Sequence, residues 1–437
     1  MVKTILIFFL LSLISNVAFA GDVPTPAKKK ILTLEEAIET ALKQNPKVII
    51  AKAKKEEAQA DVQISQSPFW PRLNLSAMDS FGLGGSSSAI GITGMVNSPY
   101  RKGYGTGVDA SWLIYDFGQT SYKVKAAKEE ASAQEEDFLQ SLAEMKLAVV
   151  RSYMGCVFFR ELTLEFQERE DRQLALIKEI EKYVQSGLNS PLELNLAKAS
   201  LEQTHSLQAN AQGMLTQSIE QLKELIGEPD RESFVGEDPW KMIPDADPLA
   251  GILDHAIKER PELKAAEKRY HSAQAARKAA SFQHSPQLVA VGSTAFLEDV
   301  SLTRKRDWSA GIGVKVPFFD GLRTEGEVWK AKERETQACA KVDEWKNRIQ
   351  QEVTSAYAQW EQAKKSDEAL EKQYGLTTEA YRLAIDRYRQ KQGTFSEFRD
   401  AESSFNQSAQ EKLKSEMNYR LSFYQLLIVG AKEIPER

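Results

Sequence analysis

Chemistry-bearing residues are scarce in this 437-residue chain, which has two cysteines and four histidines. His205, His255, His271 and His284 are scattered, without metal-ligand spacing and without an acid and nucleophile beside them. No catalytic or metal centre is recognisable, and no cofactor is expected. Gly82-Leu83-Gly84-Gly85 follows a strand pattern but opens no helix, so it is not a phosphate-binding loop. An excess of basic charge is also missing. The 57 Lys and Arg stand against 62 Asp and Glu, a net of −5 that argues against a nucleic-acid partner. No apolar run of about 18 residues follows the first 20 positions, so no spanning helix is available. A membrane crossing by this chain would have to use β-strands.

What is present begins with a leader pattern over residues 1–20. Lys3 supplies the positive end, Ile5 to Ile14 the apolar stretch, and Ala18-Phe19-Ala20 a small-x-small site before Gly21. Gly21 offers no cysteine for lipid attachment. Loss of Lys3 would leave 56 basic and 62 acidic residues, a net of −6, on an exported chain.

The rest of the sequence says the same thing twice. Tyr115-Asp116-Phe117-Gly118 recurs as Phe319-Asp320-Gly321, and Ser190-Pro191-Leu192-Glu193 with Ala197 recurs as Thr394-Phe395-Ser396-Glu397 with Ala401. Both pairs are 204 positions apart. Asn45-Pro46 answers Arg260-Pro261, and Pro71-Arg72-Leu73 answers Pro286-Gln287-Leu288, at an offset of 215. The 11-residue difference lies between Leu73 and Asp116, in one loop. Repeats of about 200 residues are too long for solenoid units, so a whole supersecondary block is duplicated. The offset places Cys156 and Cys339 about 21 residues apart along parallel helices, roughly 30 Å and far beyond disulfide reach. Two free, largely inert thiols are expected.

Each repeat, 21–227 and 249–430, has the same plan. Thr33-Leu34-Glu35-Glu36 is a capping box that starts a helix reaching about Ser67, with a break at Pro46; Pro68 and Pro71 stop it. Leu73, Leu75, Ala77 and Phe81 alternate with polar neighbours, as do Val108, Ala110, Trp112 and Ile114. That predicts strands at about 71–82 and 105–116, with a Gly- and Ser-rich loop over Gly82 to Gly107 between them. From Gly118 to Gln185 there is no proline, and 118–186 reads as one helix of ~100 Å. Gly187 ends it, Ser190 caps the next helix, and Pro191 opens 191–226. Residues 228–248 read as a surface linker. The second half predicts a helix at about 249–283, strands at about 287–297 and 308–317, a long helix at 321–391, and a return helix at 395–429. Residues 431–437 are a tail. Trp345, Trp360, Phe138 and Tyr153 read as interhelical packing.

The shorter helices of a half together match its long helix, so they are expected to stack end to end beside it. The strands then lie at the pole opposite the tips near Gly187 and Gly393. Four strands cannot close a barrel, and open edges are not tolerated in hydrocarbon. Three copies would give twelve strands and two copies a cramped eight, and the trimer is the expectation.

The chain resembles the TolC-type outer-membrane efflux proteins over essentially all of its mature length. The residues that carry the likeness are Leu34-Glu35-Glu36-Ala37 with Asn45-Pro46, the Pro-Arg-Leu strand entry at 71–73, Pro317-Phe318-Phe319-Asp320-Gly321, and the duplicated tips. The resemblance implies a mainly α fold of two tandem repeats. Three copies would form a 12-stranded outer-membrane β-barrel continued by a 12-helix periplasmic α-barrel. It also implies a passive exit duct for efflux or type I secretion, outer-membrane lipid around the barrel, and two partners, a periplasmic adaptor and an inner-membrane transporter. A related fold without transport, a helical envelope spacer, is the alternative.

The family's second tip often reads Thr-x-x-Asp-x-x-Asp-Ala, which falls here on Thr394, Glu397, Asp400 and Ala401. Glu397 and Asp400 are therefore candidates for the constriction, with Glu193 at the first tip, and Tyr388 falls at a gate-tyrosine position. Arg399 between the acids and Gly393 in place of a gate arginine depart from that pattern. Both acids also suit a solvated first helical turn. Gly187, Leu188, Asn189 and Ser190, with Gly393 and Thr394, are candidates for docking the adaptor, or simply tight turns.

Overall fold

A computed structural model describes residues 31–80, 103–187, 189–228, 234–235, 246–299 and 302–432. The expected leader, most of the first loop, most of the linker, Leu188 and the last five residues lie outside the described residues. The first half runs β1 (Ile31–Leu32), α1 (Leu34–Gln44), α2 (Pro46–Gln66), β2 (Arg72–Ser80), β3 (Gly103–Tyr115), α3 (Gln119–Gln185) and α4 (Pro191–Ile226). After β4 (Phe234–Val235) come α5 (Leu249–Glu259), α6 (Pro261–Ser281), β5 (Gln287–Asp299), β6 (Leu302–Lys315), α7 (Arg323–Arg389) and α8 (Phe395–Val429). The long helices α3 and α7 have 67 residues each. At 1.5 Å per residue each is about 100 Å long.

Proline sets the helix breaks. Asn45 takes an extended conformation (ψ 128°) and its Oδ1 accepts from the Lys47 N–H at 2.8 Å, capping α2. The second half breaks in the same way at Arg260 (ψ 125°), within the stretch of about 249–283 that the sequence reads as helix. Pro261 crowds the preceding residue out of the α region, so the chain must kink there. The kink buries the Arg260 guanidinium, which donates to Glu262 Oε1 and Glu352 Oε2 at 2.6 Å each. Arg260→Ala would leave Glu262 without its cation, whereas Glu352 keeps Arg348 at 2.9 Å. It is expected to cost about 3 kcal/mol, read as a lower thermal midpoint by circular dichroism.

The strands form one antiparallel sheet in the order β2-β3-β5-β6. Two strands begin earlier than their side-chain alternation suggested: β3 starts at Gly103, inside the expected loop, and β6 at Leu302 rather than 308. Backbone pairing with β5 carries the ladder through glycine-rich and charged sequence that shows no alternation. Cross-strand register sorts the sheet into two faces. One carries Leu73, Leu75, Val108, Ala110, Trp112, Leu288, Ala290, Ile312, Val314 and Trp308. The other aligns Asn74, Asp109, Ser293 and Ser309 in a single row. Asn74 donates to Asp109 Oδ2 at 2.8 Å, and the Ser293 and Ser309 hydroxyls bond at 2.8 Å. The apolar face is uncovered within the chain, with Leu75 80%, Ile312 72% and Trp308 81% exposed.

Below the sheet, α3 packs against α4 and α6, and α7 against α8 and α6. The helices flanking α3 meet end to end, where Asn45 Nδ2 donates to Leu225 O at 2.8 Å. Gly227 (φ +75°) sits at that junction, and a Cβ there would stand 3.2 Å from Gln44 O. Tyr153 is buried in this core and its hydroxyl donates to Leu32 O at 3.1 Å. Within the stretch expected to be linker, β4 pairs in parallel with β1. Trp360 lies buried in a second core with Ile349 and Val353, and Trp345 and Phe138 pack on the edges of the two cores. Cys156 is buried and its thiol pKa is pushed up to about 12 by desolvation, whereas Cys339 is exposed on α7.

Candidate functional site: the paired helical tips

The two helical hairpins, α3–α4 and α7–α8, turn at the end of the molecule opposite the sheet. Each turn needs one left-handed residue to end its long helix. In the first tip this is Gly187 (φ +73°); at the same place in the second it is Lys391 (φ +59°). A lysine pays a backbone penalty in that region that glycine does not. Its side chain explains why the position is held. The Lys391 ammonium stands 3.9 Å from the Tyr183 ring centroid and donates to Asn189 Oδ1 at 2.5 Å, both on the other hairpin.

Around this contact the hairpins are sewn together. Tyr388, 4% exposed, donates its hydroxyl to Glu193 Oε2 at 2.9 Å. Asn189 Nδ2 donates to the same Glu193 oxygen at 2.7 Å and to the Tyr388 hydroxyl at 2.6 Å. Burial, followed by the Glu193 contact, raises the Tyr388 pKa well above its ordinary value, so the phenol stays a proton donor. Arg389 pairs with Glu179 at 3.2 Å, a further tie from α7 to α3. Beneath lie Ile177, Ile180, Ala197, Leu201 and Phe398, an apolar plug that aligns the polar groups above it.

The structure thus gathers Glu193, Tyr388 and Asn189, brings in Lys391, which the sequence placed only at the second tip, and adds Tyr183, Arg389 and Glu179, which sequence reasoning missed. The signal for Lys391 was present, because it replaces Gly187 at the repeat offset. Glu397 and Asp400 are not part of this network. Glu397 folds back as a capping box, its N–H donating to Thr394 Oγ1 at 3.2 Å and its Oε2 accepting from the Thr394 N–H at 3.4 Å. A Cβ at Gly393 would stand 3.2 Å from that carboxylate, so Gly393 leaves room for the cap. Asp400 is exposed, with Arg399 at 3.9 Å. Ser190 caps α4 by accepting from the Leu192 N–H at 3.2 Å.

His284, Asp320 and Glu325 form one exposed group at the sheet end whose ligand atoms lie within 4.8 Å of one another. Both Asp320 oxygens already cap α7 through Arg323 and Thr324, and His284 Nδ1 faces Pro317 O at 3.2 Å. The group serves the turn, and we assign no metal to it.

The chain matches the family model described as outer membrane efflux protein over residues 37–228 and 252–427. It belongs to that family. CyaE of Bordetella pertussis is 25% identical over 363 residues, 80% of this chain and 74% of that protein. The cation efflux system protein CusC of Escherichia coli K12 is 24% identical over 336 residues, 74% of this chain and 69% of CusC. Among solved structures, the Campylobacter jejuni CmeC outer membrane channel superposes with a TM-score of 0.79 at 17% identity, over 96% of this chain and 92% of CmeC. As a member of the outer membrane efflux proteins, this chain is an exit duct in the outer membrane that extends into the periplasm. No described helix is long and apolar enough to cross a membrane.

Proposed function

We propose that three copies of this efflux protein close their four-stranded sheets into one 12-stranded barrel, continued by twelve helices to a periplasmic mouth. The observation that carries this reading is the sheet. It has one apolar face, an opposite face crossed by a polar row, and two edge strands, β2 and β6, without a further strand partner among the described residues, on a shaft of about 100 Å. In lipid those edges must be paired, and the polar row of Asn74, Asp109, Ser293 and Ser309 then lines a wet lumen. Substrate would be handed over at the tips by a periplasmic adaptor and an inner-membrane transporter. The tips Gly187, Leu188, Asn189, Ser190, Gly393 and Thr394 would form the docking rim. The chain supplies passage and a gate, and the transporter supplies energy.

In this reading the Tyr388–Glu193–Asn189–Lys391 contacts hold the mouth shut. Three copies each of Glu397 and Asp400 form an acidic ring at the mouth, and Arg399 trims its charge. A like-charge ring attracts cations and slows anions. Glu397→Ala with Asp400→Ala is therefore expected to lower cation-over-anion selectivity severalfold, measured as reversal potential in planar bilayers under a salt gradient. Unchanged selectivity and conductance would remove these acids from the pore. A protein that inserts yet never conducts would instead be a helical envelope spacer.

A further inference from the structure

Behind the tips, the two hairpins meet a second time through buried polar groups. Glu402 of α8, 9% exposed, faces Arg169 and Gln173 of α3, which are also buried. Its carboxylate receives one hydrogen bond, from Gln173 Nε2 at 3.3 Å, and among the described residues no cation lies within 4.0 Å of it. Gln173 is held in place by Thr204, whose hydroxyl donates to its Oε1 at 2.8 Å, and by Ser200 at 3.0 Å, both on α4. The Arg172 guanidinium lies over the Phe405 ring at 5.3 Å and reaches Glu165 only at 3.8 Å. Neither the Arg169 Nε nor either Glu165 oxygen has a hydrogen-bond partner among the described residues. Tyr381 and Phe405 stack at 5.0 Å across the remaining side. A carboxylate with one neutral donor in such surroundings is poorly compensated when charged.

We propose that the Glu402 contact is a proton-operated lock on the mouth: protonated, it packs the α3–α4 hairpin against α7–α8, and ionised, it favours their separation. The proposal rests on the gated-duct reading and adds a control to it that lies outside the tip network. Burial raises the Glu402 carboxyl above the ordinary carboxylate range, partly offset by Gln173 and then by Arg169 and Arg172. Burial likewise raises Glu165 on the same side, and Arg172 and Arg169 oppose it. The other charged or titratable groups around the contact are Glu168 on α3, His205 on α4, Tyr381 and Arg389 on α7, and Arg399 on α8.

The sign follows from linkage. A carboxyl that binds its proton more tightly when packed than when wet stabilises the packed form fully below its ordinary pKa. It loses that effect as pH rises through the raised value. Alkalinisation should therefore open the mouth, and mild acid should close it.

The test is single-channel recording of the full-length protein in planar bilayers between about pH 5 and pH 8, which brackets ordinary and raised carboxyl values. The wild-type open probability is expected to rise severalfold across this range. Glu402→Gln, a permanent neutral, should stay at the low-pH level throughout. Gln173→Met removes the one donor to the charged form and should move the transition to higher pH, which keeps the test decisive if Glu402→Gln does not insert. A channel carrying Glu397→Gln and Asp400→Asn should keep the rise. Loss of the rise in that channel would move the effect to the acidic ring and overturn the lock. A conducting wild type with flat pH response, or a Glu402→Gln channel with the wild-type slope, overturns the lock alone. Absence of conductance at every pH overturns the duct reading and the lock with it.

Discussion

Tyr388→Phe is expected to raise the resting conductance of the reconstituted channel by about ten-fold or more. The lost bond joins a buried phenol to a carboxylate, and bonds to charged groups contribute about 1.5–3 kcal/mol. Each ~1.4 kcal/mol is a factor of ten in the ratio of open to closed mouth. The substitution also removes one of the two donors to Glu193, leaving Asn189 at 2.7 Å. Lys391→Gly separates a latch from a merely strained turn. Glycine relieves the left-handed backbone, so thermal stability should hold or improve while the contacts to Tyr183 and Asn189 vanish. Higher leak with undiminished stability identifies a latch. Unchanged leak in both variants would mean that the tips are held by the apolar plug of Ile177, Ile180 and Phe398 alone.

The other large effect concerns the sheet. Ile312→Arg should abolish stable insertion, although Ile312 touches little within the chain. A charge facing the hydrocarbon midplane costs about 2–4 kcal/mol per copy, and the proposed assembly would carry three. Ser309→Arg, three residues away but in the row shared with Ser293, Asp109 and Asn74, points into the polar face and should insert. The readout is the folded, heat-modifiable species recovered in the outer-membrane fraction. If the serine variant fails and the isoleucine variant folds, the two faces have been assigned the wrong way round.

The parts of the fold legible in sequence are those with local causes. Thr33, Ser190, Pro191 and Gly227 start and stop helices through their own backbone chemistry, which any single sequence displays. The kink at Arg260 had an equally local cause in Pro261, but no capping side chain announced it as Asn45 did. The early start of β3 was hidden because glycines show no alternation. The β1–β4 pairing is two residues long on each strand and joins distant positions, below the reach of any periodicity. At the tips, the acids stood out because they are charged and close in sequence. The contacts that join the hairpins pair residues such as Asn189 with Tyr388, 199 positions apart, and only the folded chain brings them together. The Thr394–Glu397 cap was readable from its spacing alone.

The junction beside Tyr153 has a consequence for how the protein is made. Leu32 and Asn45 lie near the start of the chain, yet Leu32 pairs with Val235, and Asn45 binds a carbonyl 180 residues later. An exported polypeptide emerges N-terminus first, so its early segment can meet Tyr153 and Val149 of α3 before Leu222, Leu225 and Val235 arrive to complete the junction. Closing so large a loop carries an entropic cost before any contact rewards it. Until then Leu32 and Leu34, both fully buried at the end, lack the cover that Leu222 and Ile226 supply. The junction is thus completed only when the end of α4 and β4 arrive, and slowing export should lengthen the exposure of Leu32 and Leu34.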